Sequence, residues 1–431
     1  HIFSFLGLWC TFKAVYKEAI KQGGVTTLVL GKQIYYLISD PEDALTAANA
    51  CLQKHFAYDY GKPWLGDGLI TSSGEVWKRH RKLLTPTFGL PVVLSFLNVF
   101  NDQARKLVQD LKAEVVKGPI DHIEYLRNNA LETFCCKYTF KTYIFGPHKQ
   151  YYWYIEIYAW LTRRFQNIWL QSDLIFKLSG LKKEHDEHVK IAHGMADKVN
   201  IMNEGGEYSS GIKYKPFLDL LLELSEDNAL TDKEIREEVD TGIVAGFDTT
   251  SIILSYIMIL LGTYPEVQEK IYQEITNVFE TDRDVTKEDL QKLVYTEAVI
   301  KETLRFFTPG PVTLRKVDRD VKLKNYTMRA GSECVVLFFG IHRSAEWGND
   351  SEEFRPERWL DPSVNLNTFA GFSLGKRSCL GKTYAMVSMK TTLVHFIKHY
   401  KVTSGVSNLQ LRLDFILKPD SGYEITLKER I

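Results

Sequence analysis

From Thr231 to about Gly262 the sequence permits little besides one long helix. Thr231 with Glu234 three residues on forms the two halves of a capping box. No proline follows until Pro265, which stops the helix. Ile252 to Leu261 is apolar apart from Ser255. A helix apolar on most of its faces cannot lie on a surface and must be a buried rod. The rest of the chain therefore has to supply a body large enough to enclose it. With 431 residues, 45% of them hydrophobic, it can.

The flanking patterns predict more helices: Phe12–Gln22, Pro41–Cys51, Glu75–Leu84, Leu94–Val116, His122–Phe140, Glu184–Asn203, Phe217–Ser225, Pro265–Phe279, Thr286–Phe307 and Lys382–Phe396. Val25–Leu30 and Gln33–Ile38 read as a hairpin turning at Gly31-Lys32. Val321–Leu337 and Lys401–Lys428 alternate as strands do. Ala57–Ser73 reads as a long glycine-rich loop and Glu204–Lys215 as a mobile one. Tyr151–Trp169 is dense in aromatics, as either a core helix or the wall of a substrate channel. The expected fold is mainly α with a minor β part near both chain ends, as one domain over residues 1–431.

Lys+Arg 54 against Asp+Glu 54 leaves no net charge, so nothing announces a nucleic-acid binder and any basic surface must be a local patch. The cysteines at 10, 51, 135, 136, 334 and 379 show no paired spacing, and fit a reducing compartment. Cys135 and Cys136 read as core residues. No run reaches the roughly 20 apolar residues of a membrane span, and Ile2–Trp9 is expected to pack on the body.

Chemistry concentrates in Phe372-Ser373-Leu374-Gly375-Lys376-Arg377-Ser378-Cys379-Leu380-Gly381. A lone cysteine is usually a small buried hydrophobe. Here Gly375 and Gly381 permit turns and close approach around Cys379. Arg377 adds a cation suited to a carboxylate, and the coming helix start favours a thiolate. A second pattern, Ala245-Gly246-Phe247-Asp248-Thr249-Thr250, sits inside the long helix. It reads either as close packing through Gly246 or as a local opening, with Thr249 bonding the Ala245 carbonyl. Glu302 and Arg305 share a helix face, as do Trp77 and Arg81. His80 and His342 have no partner at metal-ligand spacing and read as structural.

The loop Phe-x-x-Gly-x-Arg-x-Cys-x-Gly resembles the haem-binding loop of the cytochrome P-450 superfamily at each of its specified positions. The resemblance extends over nearly the whole chain. It implies haem b (iron protoporphyrin IX) with Cys379 as the metal ligand and Phe372, Gly375 and Gly381 shaping the loop. It implies Trp77, Arg81, Arg315 and Arg377 as partners of the haem carboxylates. Asp248 and Thr249 become the residues that deliver protons for O–O cleavage, and Glu302, Arg305 and Arg358 a structural cluster. Ile243, Phe247 and Val312 would bound the substrate, with the Tyr58–Ile70 loop.

Gly61–Ile70 and Arg81–Phe88 resemble the animal family-four branch of fatty-acid hydroxylases and insect enzymes. That branch often carries Glu where this chain has Ala245, and that Glu can form an ester to haem; the haem expected here is non-covalent. The implied activity inserts one oxygen atom from O2 into a lipophilic molecule: a fatty acid, a pheromone-like lipid, a terpenoid or a xenobiotic. Without a nicotinamide or flavin motif in the chain, electrons must come from a partner. The resemblance implies NADPH-cytochrome P-450 reductase, with cytochrome b5 as an additional donor. A basic patch of Lys78, Arg79, Lys82, Lys376 and Lys382 is the expected docking surface. The resemblance further implies a monomer attached to the endoplasmic reticulum membrane, its body on the cytosolic face, by an anchor not found in the sequence as given. A haem-thiolate isomerase or dehydratase needing no reductase, and a haem-binding carrier or sensor, are the alternatives.

Overall fold

The computed structural model describes residues 5–135, 152–204, 221 and 229–430. The expectations for Cys136, Tyr151, the 204–215 loop and the 217–225 helix lie mostly or wholly outside them. The chain divides into two compact units. One comprises residues 1–53, 96–130 and 248–431; the other comprises 54–95 and 131–247.

The long helix is Asp232–Thr263. Its capping box forms as expected: the Thr231 N–H donates to Glu234 Oε2 at 2.9 Å, and the Glu234 N–H donates to Thr231 Oγ1 at 3.3 Å. At its other end the Tyr264 N–H closes on the Leu260 carbonyl, and Pro265 opens the next helix, Pro265–Val278. Ile252–Leu261 is buried throughout, including Ser255, whose Oγ meets His122 Nε2 at 2.9 Å. By length and composition this helix could cross a membrane, although no unbroken apolar run in it reaches about 20 residues. Its apolar window is 83% buried in protein, the mark of a core helix.

In the first unit a five-stranded sheet runs in the order Val25–Leu30, Gln33–Ile38, Glu333–Val336, Thr313–Lys316, Gln53–Lys54. The pleat sends alternate residues to opposite faces. Tyr36, Ile38, Cys334 and Val336 pack with Ala44, Ala47 and Cys51. Leu37 and Val335 pack on the other side with Trp9, Phe12 and Tyr16. That second layer explains why the first helix is Phe5–Lys21 rather than beginning at Phe12: Trp9 is buried edge-on against Phe339. Smaller two-stranded ladders join Gln410–Leu413 to Leu417–Ser421 and Tyr400–Thr403 to Thr426–Glu429. The helix Lys382–His399 packs on Leu97–Leu111, with Tyr384 edge-on to Phe100.

Other expected elements differ as well. The segment Leu94–Val116 breaks into Leu90–Ser95, Leu97–Leu111 and a short 3-10 turn. The segment Thr286–Phe307 breaks at Leu293, whose backbone (φ −83°, ψ 64°) is not helical, into Lys287–Lys292 and Val294–Phe306. In the second unit the expected loop Ala57–Ser73 contains a 3-10 helix, Phe56–Gly61, and one helical turn, Lys62–Leu65. The aromatic stretch is the helix Tyr152–Gln166, in which Ile157, Tyr158 and Trp160 are buried.

Candidate active site

The cysteine loop closes on itself. The Cys379 N–H donates to the Phe372 carbonyl at 2.8 Å, and the Ser378 N–H to that of Gly375 at 3.1 Å. Gly375–Arg377 is a turn of 3-10 helix. Gly375 has φ 67°, and a Cβ there would lie 2.9 Å from Asn49 Oδ1 and 3.1 Å from the Ala48 carbonyl carbon. Both backbone and space require glycine. Ser373 also lies in the left-handed region, at φ 64°. Two bonds tie the loop to the end of the helix Pro41–Ala50: Lys376 N–H to Asn49 Oδ1 at 3.2 Å, and an Arg377 Nη to the Leu52 carbonyl at 2.8 Å. Cys379 is exposed, just before the N-terminus of Lys382–His399. The helix dipole there favours a thiolate.

Behind the loop, Glu302 accepts five hydrogen bonds. Arg305 grips it with two at 2.8 and 2.9 Å. Arg358 Nε donates at 3.0 Å, Trp359 Nε1 at 2.9 Å and the Arg355 N–H at 2.8 Å. The remaining guanidinium donors reach backbone carbonyls at His342, Trp347, Asp350, Ser351 and Glu353. A buried ion cluster thus staples the segment 342–359 to the helix carrying Glu302. Trp359, a donor that sequence reasoning missed, stands next to Arg358.

His342 extends this support. The Ala370 N–H donates to its Nε2 at 2.9 Å, which leaves Nδ1 to donate to Thr308 Oγ1 at 2.7 Å. Burial, and then the neighbouring Arg305 charge, hold its pKa well below the ordinary range. A neutral imidazole therefore pins Ala370, just ahead of the cysteine loop, to the end of the Glu302 helix. His80, in the second unit, is also structural: it is fully buried, with Nδ1 2.6 Å from Glu238 Oε1. Among the described residues no group of His, Cys, Asp and Glu has the arrangement of a metal cluster.

On the long helix every residue around Asp248 is α-helical, so the expected local opening does not appear. A Cβ on Gly246 would sit 2.4 Å from the Phe134 ring, so close packing explains this glycine. Ala245 and Thr249, one turn apart, are exposed, while Phe247 and Asp248 are buried. Asp248 Oδ1 lies 3.5 Å from Arg127 Nε.

The expected carboxylate partners divide between the units. Arg315 and Arg377 lie in the first, Trp77 and Arg81 in the second. Arg315 is 5% exposed on the strand Thr313–Lys316, giving hydrogen bonds to Thr313 Oγ1 and the Leu314 carbonyl. Among the described residues no carboxylate pairs with it. Trp77 is buried and Arg81 half-buried on the helix Gly74–Leu84.

Of the expected basic patch, Arg79 is committed to Glu234 and the Ala229 carbonyl, and Lys78 to Glu75. Lys82, Lys376 and Lys382 are exposed. Of the expected substrate residues, Ile243 is buried, as Phe247 is, and Val312 is half-buried. An open cavity of about 390 Å³ in the second unit is lined instead by Pro63, Asp186, Val189, Lys190, His193 and Gly194.

Comparison with known proteins identifies a family over nearly the whole chain. The cytochrome P-450 family model matches residues 6–427. Cytochrome P-450 4V2 of Homo sapiens is 34% identical over 419 residues, covering 92% of this chain and 80% of that protein. Cytochrome P-450 4c21 of Blattella germanica is 31% identical, covering 93% and 85%. Cytochrome P-450 4c3 of Drosophila melanogaster is 30% identical, covering 94% and 82%. With its cysteine loop, Glu-Arg-Arg cluster and long core helix in place, the chain belongs to the cytochrome P-450 family, matches its family-four members, and is a haem-thiolate monooxygenase.

Proposed function

We propose that this enzyme hydroxylates a lipophilic substrate, with Cys379 as the haem ligand and non-covalent haem b as the cofactor. The observation that carries the cofactor reading is Arg315. A guanidinium so buried with no carboxylate among the described residues is costly, and a haem carboxylate would compensate it. Exposed Cys379 on its hydrogen-bonded loop and the exposed Ala245 and Thr249, one turn apart beside buried Phe247 and Asp248, are consistent with the same group. Thiolate-ligated haem, when bound, supplies O–O cleavage and the oxidising power for C–H bonds.

The chain's own residues then have distinct tasks. Cys379 keeps its negative charge through the helix dipole. Arg377 and Arg315 would hold the haem carboxylates, and Trp77 and Arg81 of the second unit are the further donors that the family resemblance implies. Asp248 and Thr249 carry protons to oxygen. Ile243, Phe247 and Val312 bound the substrate. Glu302, Arg305 and Arg358 keep the loop's support fixed. Residues 1–431 work as one catalytic domain, a reading supported by the family match over 6–427.

Electrons come from NADPH-cytochrome P-450 reductase, with cytochrome b5 as an additional donor, at the endoplasmic reticulum membrane. Lys82, Lys376 and Lys382 are the cations left to attract an acidic partner. The test is expression with the reductase and a mass-spectrometric screen of fatty acids, terpenoids and xenobiotics. NADPH-dependent oxygen consumption with a hydroxylated product supports the reading. Product formed without NADPH would favour an isomerase or dehydratase, and haem binding with no product a carrier.

A further inference from the structure

A polar cluster inside the first unit surrounds Asp248 with charged residues that have no part in the assignments above. Arg127, on the helix Ile123–Cys135, approaches Asp248 from one side. The side chains of Arg127 and Asp248 are 12% and 6% exposed. From the terminal hairpin comes a second group. Lys418 Nζ lies 2.6 Å from Asp414 Oδ2, both side chains nearly inaccessible. Arg412, the cross-strand partner of Lys418, lies 3.3 Å from Asp414 and 3.1 Å from the more exposed Asp420. Burial pushes the Lys418 pKa down; Asp414, and then Asp248, oppose that fall. Lys418 therefore sits within electrostatic range of Asp248. Asp121 and Tyr423 complete the neighbourhood, with Tyr423 Oη 3.4 Å from Asp121 Oδ2.

A buried carboxylate keeps its charge and direction only if cations compensate it. On its own helix Asp248 has no basic neighbour: Ile252, Thr249, Ala245 and Val244 surround it in the sequence. The compensation must come from elsewhere in the fold. Arg127 and Lys418 are the cations that the first unit brings to it. Asp414 in turn keeps Lys418 from swinging away, and Arg412 bridges Asp414 and Asp420.

We propose that Arg127 and Lys418, the latter anchored by Asp414, are the positioning residues that hold Asp248 in place and aimed for proton delivery. The inference rests on the reading of Asp248 above. Neither cation touches the reacting atoms; each acts through the carboxylate. The terminal hairpin thus becomes part of the proton-delivery apparatus rather than an outer wall.

The test needs no knowledge of the substrate. Holoenzyme with reductase and NADPH, without organic substrate, reduces O2 to hydrogen peroxide with two electrons and two protons, or to water with four of each. The ratio of NADPH to O2 consumed, with peroxide measured directly, reports how well protons are supplied. Arg127→Gln and Lys418→Met are expected to raise peroxide relative to water by roughly tenfold, as losses of supporting contacts around a catalytic group do. Arg127→Lys is expected to recover part of the loss. A second readout is independent of turnover: double-mutant cycles of unfolding pairing Asp248→Asn with each cation variant, in which a non-zero coupling is expected. Wild-type partition in both cation variants, or zero coupling in both cycles, overturns the proposal. If Asp248→Asn itself leaves the partition unchanged, the role of Asp248 fails instead.

Discussion

Replacing Glu302 by Gln probes the support of the cysteine loop. The carboxylate receives two bonds from Arg305, one from Arg358, one from Trp359 and one from the Arg355 N–H, all between 2.8 and 3.0 Å. Its side chain and that of Arg305 are fully buried. An amide has the same shape but one acceptor oxygen and no charge. Two guanidinium groups then share a buried site whose remaining anion is the partly exposed Asp350, 3.3 Å from Arg358 Nη1, and Arg305 loses its carboxylate partner, a situation worth about 3–5 kcal/mol. Opening of the segment 342–359 should become easier by the lower figure at least, roughly a 150-fold change in equilibrium. The readout is amide hydrogen exchange in the holoenzyme. The Arg355 N–H, bonded to Glu302, should exchange faster by about that factor, while the Ile38 N–H, deep in the sheet, should not. Unchanged protection at Arg355 would refute the reasoning, because it would mean that the cluster carries no net stabilisation.

Glu333 offers a pH test. It is buried on the central strand with Oε2 unbonded, and burial pushes its pKa up to about 7. The folded value lies above the unfolded one, so the stabilising contribution is full below about pH 4.5 and is lost as pH rises through about 7. Glu333→Gln should raise the thermal midpoint above about pH 8 and give no gain at about pH 4; an equal gain at both would contradict this. Gly246→Ala places a Cβ against the Phe134 ring and should destabilise by about 1–3 kcal/mol in thermal unfolding. Acid-acetone treatment should extract all the haem, since Ala245 offers no carboxylate to form an ester; haem retained on the denatured chain would sink that expectation.

What the sequence revealed depended on how locally each feature is encoded. The capping box at Thr231 and Glu234, the hairpin at Gly31, with φ 61°, and the cysteine loop's turn at Gly375 are written in adjacent residues and form as read, whereas Gly381, with φ −83° and open space where a Cβ would sit, needs no glycine. The Glu302–Arg305 pair was visible as one helical turn. Arg358 needed the family resemblance, because nothing near it in sequence points to a helix far upstream. The break at Leu293 was hidden, since its sequence carries neither proline nor glycine. Phe5–Lys21 begins early because Trp9 finds Phe339, a tertiary contact that no local pattern announces. Arg127 and Lys418 are ordinary cations in the sequence; only the fold brings them toward Asp248.

The central claim is that Cys379 supplies the thiolate that holds haem iron. The most direct measurement is the absorption spectrum of the reduced, carbon monoxide-bound protein, wild type beside Cys379→Ser. The wild type should give the red-shifted band of thiolate ligation and the variant should lose both that band and all product formation. A variant that kept the same band and turned over normally would contradict the account.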